Sequence, residues 1–144
     1  MFKGCVELKS MPKLPALNVS ENSYSYMFQD CTSLYNVENL PATTIEKSAY
    51  YYMFNGCTAL EDVSKININV ETLPDKSCQG MFYSCTSLLN SPQITAIKLN
   101  VSSCANMFQN CTNLISAPIL SSIREIRFKR VQCNVCLQIG RAHV

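Results

Sequence analysis

The chain has 144 residues, 47% hydrophobic and 15% charged, which suits one compact domain with a buried core and excludes a disordered chain. Its net charge of +2 gives no electrostatic reason to expect nucleic acid or a membrane surface, and no apolar run approaches the roughly 20 residues that span a bilayer. Nine cysteines stand beside a single histidine, His143, which argues against His-based catalysis and metal chemistry.

A repeat organises the chain from its first residue. Met-Phe occurs at Met1-Phe2, Met27-Phe28, Met53-Phe54, Met81-Phe82 and Met107-Phe108, at intervals of 26, 26, 28 and 26 residues. Each Met is followed four positions on by a cysteine (Cys5, Cys31, Cys57, Cys85, Cys111) and three further on by a leucine (Leu8, Leu34, Leu60, Leu88, Leu114). Six beyond the leucine lies another aliphatic residue: Leu14, Leu40, Ile66, Ile94 and Leu120. Self-similarity at a period of about 20–50 residues signals stacked repeats, because one unit cannot bury its own apolar face.

Within each unit the stretch through Met-Phe predicts a short helix. Tyr24, Met27, Phe28 and Cys31 fall at i, i+3, i+4 and i+7, and Ser20 or Ser23 is placed to cap its start. The stretch Leu34–Leu40 predicts a short strand ending at Pro41, with proline at the position of Glu38 in three other units limiting its length. The two extra residues of the third unit are expected between Ile66 and Ser77. Helix-pair repeats need about 33 residues or more, so a 26-residue period predicts a leucine-rich-repeat solenoid: an α/β repeat of about five units, each a short parallel strand plus a short helix, over residues 1–123. Phe2, Phe28, Phe54, Phe82, Phe108, Cys31, Cys57, Cys85, Cys111, Leu34, Leu60, Leu88 and Leu114 are its expected core.

The last 21 residues differ. Residues 1–123 carry seven lysines and nine acids, whereas 124–144 hold every arginine of the chain (Arg124, Arg127, Arg130, Arg141) with Lys129 and one acid, Glu125. This segment is a non-repeat basic tail, and 139–144 has the look of a translated sequencing adaptor, foreign to the fold. Met1 falls where an internal Met of the repeat belongs, which predicts a piece of a longer protein with further repeats.

The pattern Met-Phe-x-x-Cys-x-x-Leu, followed by Leu-Pro-Ala at Leu14-Pro15-Ala16 and Leu40-Pro41-Ala42, resembles the BspA-type leucine-rich repeat of bacterial surface proteins, in a Met-Phe variant of gut-dwelling bacteria. The resemblance covers about residues 1–121. It implies an exported, cell-surface or extracellular protein with a role in adhesion to host proteins or other cells.

The candidate sites are few. The cysteine column has one member per unit and no natural pairing, and zinc wants four converging ligands, so small buried thiols are expected and no metal. Cys78 and Cys104 replace Tyr24 and Tyr50 as core variants, and Cys133-x-x-Cys136 lacks a second ligand pair. Glu61 and Asp62 are adjacent, so on a strand they face opposite ways, and nothing else resembles a catalytic pair. An enzyme and a cofactor are therefore not expected. Surface remains: on the predicted strand, positions two and four after the leucine face outward, giving Asn36, Glu38, Asp62, Ser64 and Asn90 as a binding face with Tyr35 as an aromatic anchor. The expected partner is a protein or cell-surface ligand. The alternatives are an ordinary solvated face on a passive spacer, and an intracellular interaction scaffold.

Overall fold

The computed structural model describes residues 1–116. The expectations placed on Arg124 to Arg141, on Cys133 and Cys136, and on 139–144 lie outside the described residues. Among the described residues, six two-residue strands pair in parallel: β1 (Asn18–Val19) with β2 (Thr44–Ile45), β3 (Asn67–Ile68) with β5 (Gln93–Ile94), and β4 (Thr72–Leu73) with β6 (Lys98–Leu99). Each pair joins residues 26 apart in the chain, so successive repeat units stack as coils in register.

The expected leucine-rich-repeat solenoid of strand-plus-helix units is overturned, because there is no helix among the described residues. A helix would send the Phe28 N–H to the carbonyl of Tyr24; instead it donates to Met53 of the next coil at 2.9 Å, while Tyr24 accepts from Met27. The residues around each Met-Phe form a ribbon of consecutive turns. Alternate N–H groups close i→i−3 turns (Ser23 to Ser20, Ser25 to Asn22, Met27 to Tyr24, Gln29 to Tyr26, Cys31 to Phe28). The N–H groups between them (Asn22, Tyr24, Tyr26, Phe28, Asp30) all donate to the following coil.

The backbone conformation follows from this division. Every second turn has a positive φ at its third residue and none at its second, the signature of a type II turn: Asn22, Tyr26 and Asp30, then Ser48, Tyr52 and Gly56. Among the described residues, seven of the thirteen positive-φ positions are Gly, Asn or Asp, the residues that tolerate this region best. The ribbon therefore repeats every four residues. Over a span of seven residues a period of four places Tyr24 with Phe28, and Met27 with Cys31, on one face just as a helix would. An isolated helix this short is marginal in water, whereas the cross-coil bonds tie every unit to its neighbour.

The expected strand at Leu34–Leu40 also shrinks, to a single bridge residue, Asn36, paired with Ser10; its counterpart is Asp62 with Asn90. The two-residue ladders lie elsewhere in each unit. The extra pair of residues also falls earlier than expected. Asp62 and Asn90 are 28 apart while Asn67 and Gln93 are 26 apart, so the insertion lies between Asp62 and Asn67. It is absorbed by a turn in which Ile66 N–H donates to Val63, leaving both Ile66 and Ile68 buried.

Stacking builds one continuous core. Phe28, Phe54, Phe82 and Phe108 are buried and Phe2 half-buried, with ring centroids 5.4, 5.4, 5.5 and 5.6 Å apart along the column and planes within 9° of parallel. Leu34, Leu60, Leu88, Cys31, Cys57 and Cys85 are buried beside them, while Leu114 and Cys111 in the last described unit are partly covered.

Candidate functional site

The cysteine column is explained by a hydrogen bond. From Cys31 onward each thiol donates to the carbonyl of the Phe in the preceding coil: Cys31 to Phe2 at 3.0 Å, Cys57 to Phe28 at 3.1 Å, Cys85 to Phe54 at 3.1 Å and Cys111 to Phe82 at 3.0 Å, while Cys5 in the first unit is exposed. Those carbonyls already accept the N–H that closes their own turn, so the thiol satisfies a second lone pair, in a buried place for Cys57 and Cys85 and a partly covered one for Cys31 and Cys111. A small side chain with a weak donor fits this place, and Cys31, Cys57, Cys78, Cys85 and Cys111 are thiols. No group of residues that could hold a metal ion occurs among the described residues.

Burial disfavours the thiolate and raises these pKa values, far up for Cys57 and Cys85 and to about 12 for Cys78 and Cys111. The ordinary thiol value is 9.0, so above that pH the unfolded chain releases protons that the folded chain retains. Their contribution is fully present below about pH 9 and falls as pH rises toward 12, at up to about 1.4 kcal/mol per pH unit for each buried thiol. Thermal melts should show a midpoint that is flat to about pH 8 and drops steeply between about pH 9 and pH 11, with a shallower drop in Cys85→Ser. A midpoint that ignores pH across that range contradicts the assignment.

The six residues expected to form a binding face occupy varied places. Tyr35 is 59% exposed and touches no other ring among those described. Asn36 is half-buried; its Nδ2 donates to Ser10 Oγ at 3.4 Å and its Oδ1 accepts from Lys65 Nζ at 3.5 Å. Asp62 is exposed and accepts from the backbone N–H of Ser64 at 2.8 Å. That bond, with those from the Ser64 and Asn90 side chains, holds its carboxyl below the usual value. The structure thus brings Asp62, Ser64 and Asn90 together, and Asn36 with Ser10 and Lys65.

Glu38 is set apart from them. It is half-buried and borders a shallow open groove of about 200 Å³ with Lys13, Leu14, Pro15, Asn39 and Pro41, below the roughly 300–1,000 Å³ of a small-molecule site. The position is a correction: Pro92, its equivalent, is buried, so the fourth place after the leucine does not face outward in every unit. Alternation of two needs a real strand, and one bridge residue is too short to impose it.

The outward column lies one place after the leucine instead. Lys9, Tyr35, Glu61, Leu89 and Ile115 are all exposed, and the N–H groups of Tyr35, Leu89 and Ile115 donate to Lys9, Glu61 and Leu89 of the coil before. The side chain differs in every copy while the backbone repeats, and that variation was the available signal.

A second cluster was missed as well. On the turn ribbon Tyr26 stacks on Tyr52 (5.8 Å, 21°), Tyr51 meets both edge-on (5.4 and 4.7 Å), Tyr83 lies 5.6 Å from Tyr52, and Lys3 Nζ sits 5.4 Å from the Tyr26 centroid. The run Tyr50-Tyr51-Tyr52 was its trace in the sequence. No protein-family model matches the chain, and no curated protein or solved structure matches it. No helix among the described residues is long and apolar enough to cross a membrane.

Proposed function

We propose that this chain is a non-enzymatic protein-binding or adhesion module of a bacterial surface protein, working at the cell surface or outside the cell. The observation that carries this is the exposed column Lys9, Tyr35, Glu61, Leu89 and Ile115, a different side chain on each coil of a backbone ordered by cross-coil bonds. Fixed spacing with variable chemistry suits recognition of an extended partner surface, and a solvent-exposed tyrosine is a common anchor in such contacts. Asn36, Asp62 and Asn90 flank the column with hydrogen-bonding groups. The similarity of Met-Phe-x-x-Cys-x-x-Leu to the BspA-type repeat supports the same role and location.

Beads carrying the full chain test this against surfaces coated with purified collagen, fibrinogen or laminin, and against bacterial cells. Saturable adhesion to at least one is expected, falling at least tenfold when Asn36, Asp62 and Asn90 are all changed to Lys in a chain that still melts cooperatively. Adhesion to none of these surfaces, or adhesion untouched by the triple change, would favour a passive spacer instead.

A further inference from the structure

We propose that Tyr26 and Tyr52 form an oxidative coupling site, at which a peroxide acting through a peroxidase joins the two rings by a carbon–carbon bond and staples adjacent coils together. The rings belong to successive coils, lie 5.8 Å apart and are only 21° from parallel, so the two phenols are held as neighbours and radicals formed on them meet within one molecule. Lys3, from the preceding coil, lies 5.4 Å from the Tyr26 centroid, and Tyr51 meets Tyr26 edge-on, so Tyr52 is the ring stacked on Tyr26. Tyr52 is itself held: its hydroxyl bonds the Asn106 side chain and its ring rests on Gly80.

Accessibility favours this pair over the buried oxidisable groups, and the exposed Met1 and Cys5 have no phenol ring to couple. Tyr26 is 37% exposed, whereas Met11, Met27, Met53, Met81 and Met107 are buried, Cys31, Cys57 and Cys85 are buried with their S–H groups bonded, and the chain has no tryptophan. Tyr24 and Tyr50 also stack, at 6.1 Å, but Tyr50 is 1% exposed. Exposed Tyr35 has no ring beside it among the described residues and is placed to couple to a second molecule.

The chemistry balances simply. Each phenol loses one electron to the oxidised peroxidase and one proton to water. The two ring radicals form a bond between ortho carbons, and each carbon's hydrogen then moves to its phenolic oxygen as aromaticity returns. The pair has lost two hydrogen atoms overall, and one hydrogen peroxide has become two waters.

The full chain treated with a haem peroxidase and hydrogen peroxide provides the test. Blue dityrosine fluorescence is expected on monomer-sized chain, with a linked peptide pair containing Tyr26 and Tyr52 that is lighter by two hydrogens. Tyr35→Phe should keep this signal and lose covalent dimers, while Tyr26→Phe and Tyr52→Phe should each abolish the monomer's fluorescence. Fluorescence confined to covalent dimers, or surviving on the monomer in Tyr52→Phe, would overturn the proposal.

Discussion

Replacing Phe54 with alanine is expected to destabilise the chain by about 3–5 kcal/mol, the largest effect of any single change considered. Phe54 is wholly buried and lies third in the column of five rings, 5.4 Å from Phe28 and 5.5 Å from Phe82. Its removal costs the transfer of an aromatic side chain and two ring–ring contacts, and it leaves a void that backbone bonds on both sides prevent from closing. The Phe54 N–H donates to Met81 in the coil after, and the Met53 carbonyl accepts the Phe28 N–H from the coil before, so the neighbouring coils stay at their spacing around the gap. A fall in the melting midpoint of roughly 10 °C or more should be seen. The same change at Phe2, which is only half-buried at the end of the column, should cost clearly less. Equal losses at the two positions would mean that stacking is not what holds the coils.

Gly80→Ala is the second large effect, about 2–4 kcal/mol, and it has an unusual rescue. Gly80 has φ 62°, in the left-handed region where a side chain is strained. A methyl group there would also lie 2.5 Å from Cζ of Tyr52 and 2.6 Å from both Cε atoms, against the face of the ring. Two penalties are therefore combined, one from backbone and one from overlap. Changing Tyr52 to alanine removes only the second, so the double variant should recover part of the loss. A double-mutant cycle measures that part as a coupling energy. Strict additivity would show that the ring moves aside freely and that Gly80 serves the turn alone.

The repeat, its period and its apolar columns were legible because burial selects side chains by type, and the same types return at Met27, Phe28, Cys31 and Leu34 in each unit. The secondary structure was less legible for a physical reason. Turns that repeat every four residues and a helix that repeats every 3.6 place the same residues inward over two turns, and they differ in where the Phe28 N–H points. The clue that separates them was the spacing of Asn22, Asp30 and Gly56, Gly80, Asn106, Asn110, which mark positions of positive φ. The site was harder still. Outward-facing columns are not selected for a common residue, so Lys9, Tyr35, Glu61, Leu89 and Ile115 carry no shared signature. Asp62, Ser64 and Asn90 were named from an assumed alternation, and they meet through side-chain bonds that no spacing rule encodes.

The direction of the ribbon's cross-coil bonds has an electrical consequence. In the peptide unit between Met27 and Phe28, the carbonyl faces the coil before and the N–H faces the coil after, and the units ending at Tyr50, Tyr52, Phe54 and Phe82 point the same way. Each such unit has a dipole of about 3.5 D, and these add along the ribbon, while in the rest of each coil the N–H groups of Tyr35, Thr44, Glu46, Leu89 and Ile115 donate to the coil before and oppose them. An α-helix carries its partial positive charge at the N-terminal end; this ribbon carries it toward the coil at residues 102–111. The ribbon side of the stack thus has a polarity opposite to that of a helix, built from uncharged backbone and countered by the reversed bonds in the rest of each coil.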